Sequence, residues 1–168
     1  MERVATVETA EALALLAAHD GTARVMALRW LGAHAPGALV GEHAALLHDA
    51  DLEVRTLAAI VLRASPNPSL AEAARLGLRD LVLSPELAQR HAGLRAAAAL
   101  ANPMLAPRLL PFLADPDAET RRLALLALAS VPRGLLAPTL LCEHAAAALA
   151  DPDAGVREAA RTLMTTAD

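Results

Sequence analysis

The chain of 168 residues contains no Lys, no Tyr, one Cys, one Trp and one Phe. Each scarcity excludes something. Cys142 has no intramolecular partner for a disulfide, so the fold relies on packing, and a reducing cytoplasm is the expected location. Aromatic residues at 1%, together with few β-branched ones, leave little material for strands and come close to excluding a sheet protein. The longest uncharged run, Ala96–Pro107, is broken by Asn102 and Pro103 and is shorter than the ~20 apolar residues of a membrane span. Met1–Ala10 lacks the basic segment and apolar stretch of a secretory leader. All 15 basic side chains are Arg and 19 residues are acidic, so a net charge of −4 offers no excess of positive charge to a phosphate backbone. Nucleic acid is therefore not an expected partner. No Gly-rich phosphate loop, Cys-x-x-Cys pair or serine-hydrolase elbow is present.

What remains is Ala and Leu, which fill 76 positions. With Arg and Glu they are strong helix formers, and 55% hydrophobic content suffices to bury a core in a chain of one-domain length. An all-α fold is expected.

The pattern repeats. His48-Asp-Ala-Asp-Leu-Glu-Val-Arg-Thr-Leu-Ala58, Ala114-Asp-Pro-Asp-Ala-Glu-Thr-Arg-Arg-Leu-Ala124 and Ala150-Asp-Pro-Asp-Ala-Gly-Val-Arg-Glu-Ala-Ala160 align, with weaker copies at 20–27 and 84–93. The Arg in each copy serves as an anchor: Arg24, Arg55, Arg90, Arg121 and Arg157, spaced by 31, 35, 31 and 36 residues. That period fits two helices per repeat. Asp-Pro-Asp ends one helix and opens the next, with Pro expected in the first turn and a carboxylate accepting free N–H groups. Leading helices are expected near 7–18, 38–48, 70–83, 106–114 and 136–150; trailing helices near 22–34, 52–64, 86–101, 118–131 and 154–165. Breaker residues at Ser65–Ser69 and Pro132–Gly134 separate repeats. Small or apolar residues three and seven past the anchor mark the packed face: Ala27 and Leu31, Ala58 and Leu62, Ala124 and Leu128, Ala160 and Met164. In the third copy Gly93 and Ala97 take these places, or Ala92 and Ala96 if the register shifts by one.

The segment 105–128, with Pro107 and Pro111 in its first helix and its Asp-Pro-Asp and Arg, resembles a HEAT repeat. The likeness extends over nearly the whole chain. It implies a right-handed α-solenoid of about five helical hairpins, forming a single repeat domain over 1–168 (repeats near 6–35, 38–65, 70–101, 104–131 and 136–166). Trailing helices would line its concave side, and each anchor Arg would pair with a turn Asp of its own or a neighbouring repeat. Family members are mostly scaffolds and adaptors, with a few enzymes.

Residues one, five and eight past each anchor share a face turned away from the packed one. The candidate protein-binding residues on it are Arg29, Thr56, Ile60, Arg63, His91, Arg95, Arg122 and Leu126. Arginines interleaved with Ile60 and Leu126 suit an acidic, partly apolar peptide, the other reading being an ordinary solvated helix face. Enzymes of related architecture make different demands. Deoxyhypusine hydroxylase resembles this repeat class and holds di-iron with His-Glu dipeptides, whereas here the order is Glu-His, at Glu42-His43 and Glu143-His144 in non-adjacent repeats. HEAT-like DNA glycosylases use a concave Trp, but Trp30 falls on a position filled elsewhere by Val61, Ala96, Ala127 and Leu163, which suggests packing. Bilin lyases share only the repeat, and mid-helix Cys142 reads as a packed residue. The expectation is a non-catalytic interaction module without a cofactor. Alternatives are a segment or regulatory domain of a larger protein, its last repeat stacking on another domain or subunit, and a bilin lyase-like or metal-dependent enzyme.

Overall fold

The computed structural model describes residues 2–132, 134–135 and 137–167, and every regular element among them is helical. Met1, Asp168, Arg133 of the expected Pro132–Gly134 loop and Leu136, the expected start of the fifth leading helix, lie outside the described residues. The α-helices are α1 (Glu2–Leu15), α2 (Gly21–His34), α3 (Leu52–Val61), α4 (Pro68–Val82), α5 (Leu87–Leu100), α6 (Ala106–Leu109), α7 (Ala118–Ala129), α8 (Pro138–Ala148) and α9 (Ala154–Ala167). Among the described residues no helix is long and apolar enough to cross a membrane.

The turns are built by a division of labour between their two carboxylates. Asp49, Asp115 and Asp151 each accept the N–H two residues on, from Asp51, Asp117 and Asp153, at 2.8, 2.9 and 2.9 Å. The chain thus bends around a side chain that mimics a backbone turn. The second Asp then caps the trailing helix: Asp51 accepts from Glu53 and Val54, Asp117 from Thr120, and Asp153 from Val156. Pro is not in the first helical turn as the sequence suggests. Pro116 and Pro152 sit between the two carboxylates, before α7 and α9 begin, because the capping position belongs to the second Asp. There their rings stiffen the turn and their carbonyls stay free to accept.

The anchor arginine takes those carbonyls. In all five turns its Nη1 donates to the backbone oxygens six and five residues earlier, at 2.5–3.5 Å: Ala18 and His19 for Arg24, Asp49 and Ala50 for Arg55, Ser84 and Pro85 for Arg90, Asp115 and Pro116 for Arg121, Asp151 and Pro152 for Arg157. Arg90 obeys the same spacing as the others, so the third copy is unshifted and Gly93 and Ala97 hold its packed positions. In three of the five, Arg24, Arg90 and Arg121, the guanidinium also reaches a carboxylate of the following turn. Arg24 meets Asp49 at 2.7 Å, Arg121 grips both oxygens of Asp151 at 2.8 and 2.9 Å, and Arg90 lies 3.6 Å from Asp115 with its guanidinium carbon 5.8 Å from the Phe112 ring centre. These anchor side chains and their carboxylates are only 11–13% exposed.

The chain forms two compact units, Met1–Asp80 and Leu81–Asp168. In the first, α1 packs on α2, α2 on α3, and α3 on the segment Gly41–His48. Leu28, Leu31, Val54, Ala58 and Leu62 are fully enclosed. A Cβ on Gly32 would lie 2.9 Å from a Val61 methyl, so α2 and α3 approach as closely as a missing side chain allows. In the second unit α7 packs on α5 and α9 on α7, while α8 covers α9. Leu94, Ala124, Leu128, Ala160 and Leu163 are buried there. The expected packed face is observed except at its last position, where Leu163 is buried and Met164 only half-buried, and in its thin layers Ala lets backbones approach.

Two leading elements depart from expectation. Gly41–His48 winds as a 3-10 helix rather than an α-helix. The fourth leading helix stops at Leu109 and continues as a 3-10 turn over Leu110–Ala114. Pro111 accounts for the second change, since it lacks an N–H and its ring opposes the carbonyl four residues back.

Helix α5 contains two backbone features with opposite consequences. A Cβ on Gly93 would meet the Val82 nitrogen at 2.5 Å and the Leu81 carbonyl carbon at 2.6 Å, with no flexible side chain to yield. Ala101, its C-cap, holds φ 49°, a left-handed conformation that Gly adopts without strain. Gly93→Ala is therefore expected to destabilise the fold by about 1–3 kcal/mol, and Ala101→Gly to stabilise it by about 0.5–1 kcal/mol. Urea denaturation of the two variants checks the signs; equal effects would show that α5 relaxes around either change.

Candidate functional site

Seven of the eight candidate residues fall on trailing α-helices in the two units and Arg63 on the 3-10 turn Leu62–Ala64 that follows α3, and their surroundings differ. In the first unit Arg29 projects from α2 and its Nη2 donates to Glu53 Oε1 of α3 at 3.1 Å, both side chains remaining about two-thirds exposed (67% and 64%). Thr56 turns inward and its hydroxyl donates to the Leu52 carbonyl at 2.7 Å, while Ile60 is half-buried one turn on. Arg63 is also half-buried, and its Nη1 is enclosed without a hydrogen-bond partner. Beside Arg29 a small cleft of about 240 Å³ is walled by Thr22, Asp51 and Glu53.

In the second unit three candidates converge. His91 of α5 places Nε2 at 2.8 Å from Asp117 Oδ2 and 3.1 Å from Thr120 Oγ1, both on the opening turn of α7. One turn along, Arg95 donates to Glu119 Oε1 at 3.1 Å, and Arg122 grips both oxygens of the same carboxylate at 2.7 Å. Leu126 is half-buried one turn further. The structure therefore assembles His91, Arg95 and Arg122 around Asp117, Thr120 and Glu119.

The carboxylates are what sequence reasoning missed. Glu53 and Glu119 each stand two residues before an anchor, and each receives an Arg placed five residues after the preceding anchor. A signal was available in part, because Glu119 and Arg122 are three apart on one helix, a spacing that brings side chains together. The cross-helix pairs Arg29–Glu53 and Arg95–Glu119 needed the stacking register as well. Their effect is that the face carries alternating charge rather than a bare basic stripe.

These contacts hold the carboxylates ionised. The Arg122 hydrogen bonds keep Glu119 below the ordinary range, against the opposing effect of burial and with help from Arg95. Asp117 is lowered by the Thr120 hydroxyl and N–H and further by His91. Arg121 does the same for Asp151, and at Asp49 burial pushes the carboxyl up but the bonds from Arg24 and the Asp51 N–H outweigh it. Every one of these shifts is accounted for by a structural partner.

The other sequence candidates lie elsewhere. His43 Nδ1 accepts the Val40 N–H at 2.9 Å, Glu42 and Glu143 are exposed, and His144 is half-buried on α8. Among the described residues no three His, Cys, Asp or Glu side chains are grouped to hold a metal ion. Cys142 is half-buried. Trp30 is half-buried on α2 and stacks on His34 with ring centres 4.9 Å apart.

No protein-family model and no curated protein matches the sequence. The fold is similar to the crystal structures of two engineered proteins. One shares 20% identity at a TM-score of 0.53, covering 93% of this chain and 77% of its own. The other shares 20% identity at a TM-score of 0.55, covering 95% of this chain, which spans about half (47%) of that larger protein. At this identity the likeness concerns fold alone.

A carboxylate whose folded-state pKa is depressed stabilises the native state above its unfolded value near 4, and the contribution fades as pH falls through the folded value. The urea midpoint should thus be level from neutral pH to about pH 5 and fall below about pH 4. Asp151→Asn, which cannot ionise, should start from lower stability and show a shallower acid fall. An unchanged slope in that variant would mean that Arg121 does not hold Asp151 ionised.

Proposed function

We propose that the chain is a HEAT-like, right-handed α-solenoid of about five helical hairpins, a single repeat domain acting as a non-catalytic protein-interaction scaffold in the cytoplasm. The observation that carries this reading is the anchor geometry: one guanidinium makes the same pair of carbonyl bonds in every turn, at the spacing of the sequence repeat. Such recurrence belongs to a structure assembled from equivalent units, and the family that shares it consists largely of scaffolds and adaptors. The likeness in fold to the engineered proteins supports the architecture.

The partner fits best as an acidic, partly apolar protein segment, not a nucleic acid, docked on trailing helices, with Arg29 and Ile60 offered by the first unit and Arg95 and Leu126 by the second. Arg29 and Arg95 are exposed there and held only by surface ion pairs, each worth about 0–1 kcal/mol, so a partner carboxylate can compete for them. Ile60 and Leu126 give the segment apolar footing. The chemistry of the face is that of docking.

Affinity capture with the purified protein, comparing the natural sequence with Arg29→Glu/Arg95→Glu, tests the reading. Both side chains are exposed, so circular dichroism should be unchanged while a specific set of retained proteins falls at least tenfold. Identical retention by both forms would overturn the assignment of this face.

A further inference from the structure

The outer face of α2 breaks the burial pattern of the repeat. Positions two and six past the anchor are buried in α7 (Leu123, Ala127) and in α9 (Ala159, Leu163). In α3 the sixth position, Val61, is where Gly32 of α2 makes its close approach. In α3 these positions, Leu57 and Val61, are half-buried, and the sixth is one that the preceding trailing helix meets. In α2 they are Met26, which is 65% exposed, and Trp30, which is half-buried. Together with exposed Leu15 of α1 they line an open groove of about 300 Å³. The stack of Trp30 on His34 holds one wall in place.

The rim of this groove has one sign of charge. Glu8 and Glu11 of α1 line it, both exposed, and no basic side chain does among the described residues. Register specifies the shape of the occupant and the rim specifies its charge. We propose that the α1–α2 groove binds an amphipathic helix of a partner protein, its apolar stripe on Leu15, Met26 and Trp30 and its flanking Lys or Arg on Glu8 and Glu11. The helix takes the place that a trailing helix occupies against α3, α7 and α9. Apolar residues spaced by three and four would enter the groove, as in other helix-in-groove complexes. Met26 borders both this groove and the cleft beside Arg29, but the groove calls for a partner of opposite charge, so the charge preference of the ligand separates this test from that of the trailing-helix face.

Trp30 is the one indole in the chain and serves as a local reporter. The probes are two synthetic Trp-free helical peptides of about 18 residues with the same Leu stripe, one flanked by Lys and the other by Glu. The Lys peptide should shift Trp30 emission to the blue, saturably, and at least tenfold more tightly than the Glu peptide. Glu8→Lys/Glu11→Lys should reverse that preference, and Met26→Asp, a change at an exposed site, should abolish the response while leaving circular dichroism unchanged. Three results would overturn the proposal: no shift with either peptide, equal shifts with both, or a self-association in sedimentation velocity that Met26→Asp removes, which would make a second copy the occupant.

Discussion

The fold depends on what one guanidinium can reach. In a stack whose layers are Ala and Leu, packing alone leaves adjacent helices free to slide, because small side chains interlock weakly. The anchor arginine limits that freedom by binding two carbonyls of its own turn and, at Arg24, Arg90 and Arg121, a carboxylate of the next turn from the same planar group. A Lys ammonium could not divide its contacts in this way, since it presents a point charge rather than a fork. The carboxylate is fixed in turn by the backbone N–H two residues on, so turn, helix start and neighbour are set by one connected set of bonds. Glycine at positions 32 and 93 then permits the close approach that the anchors define.

Much of this was legible in the sequence. The anchor spacing, the trailing helices and the packed positions three and seven residues later follow from a repeated string and helical geometry. The register of the third copy was not, because Ser84 stands where Asp49, Asp115 and Asp151 stand elsewhere and Gly93 replaces the usual Ala. Only the Arg90 bonds to Ser84 and Pro85 decide it. The 3-10 winding of Gly41–His48 was also hidden, since its apolar spacing reads as an ordinary helix. At the candidate face, the arginines were found and their carboxylates were not: pairing Arg29 with Glu53 requires knowing which turn of α2 lies beside which turn of α3.

The two proposed surfaces follow from the same register. Where one trailing helix meets the next, charged residues at fixed offsets pair across the seam and leave an exposed face of alternating charge. On α2 the corresponding outer positions are large and apolar, under an acidic rim. A scaffold reading unites them, with ligands distinguished by charge and shape rather than by chemistry performed on them.

The central claim is that the anchor pair, and not surface pairing, holds the stack. A double-mutant cycle on Arg121 and Asp151, set beside one on Arg29 and Glu53, measures this by urea unfolding. The account predicts a coupling of about 2 kcal/mol or more for the enclosed anchor pair and below about 1 kcal/mol for the exposed one. Equal couplings, or a negligible one between Arg121 and Asp151, would contradict it.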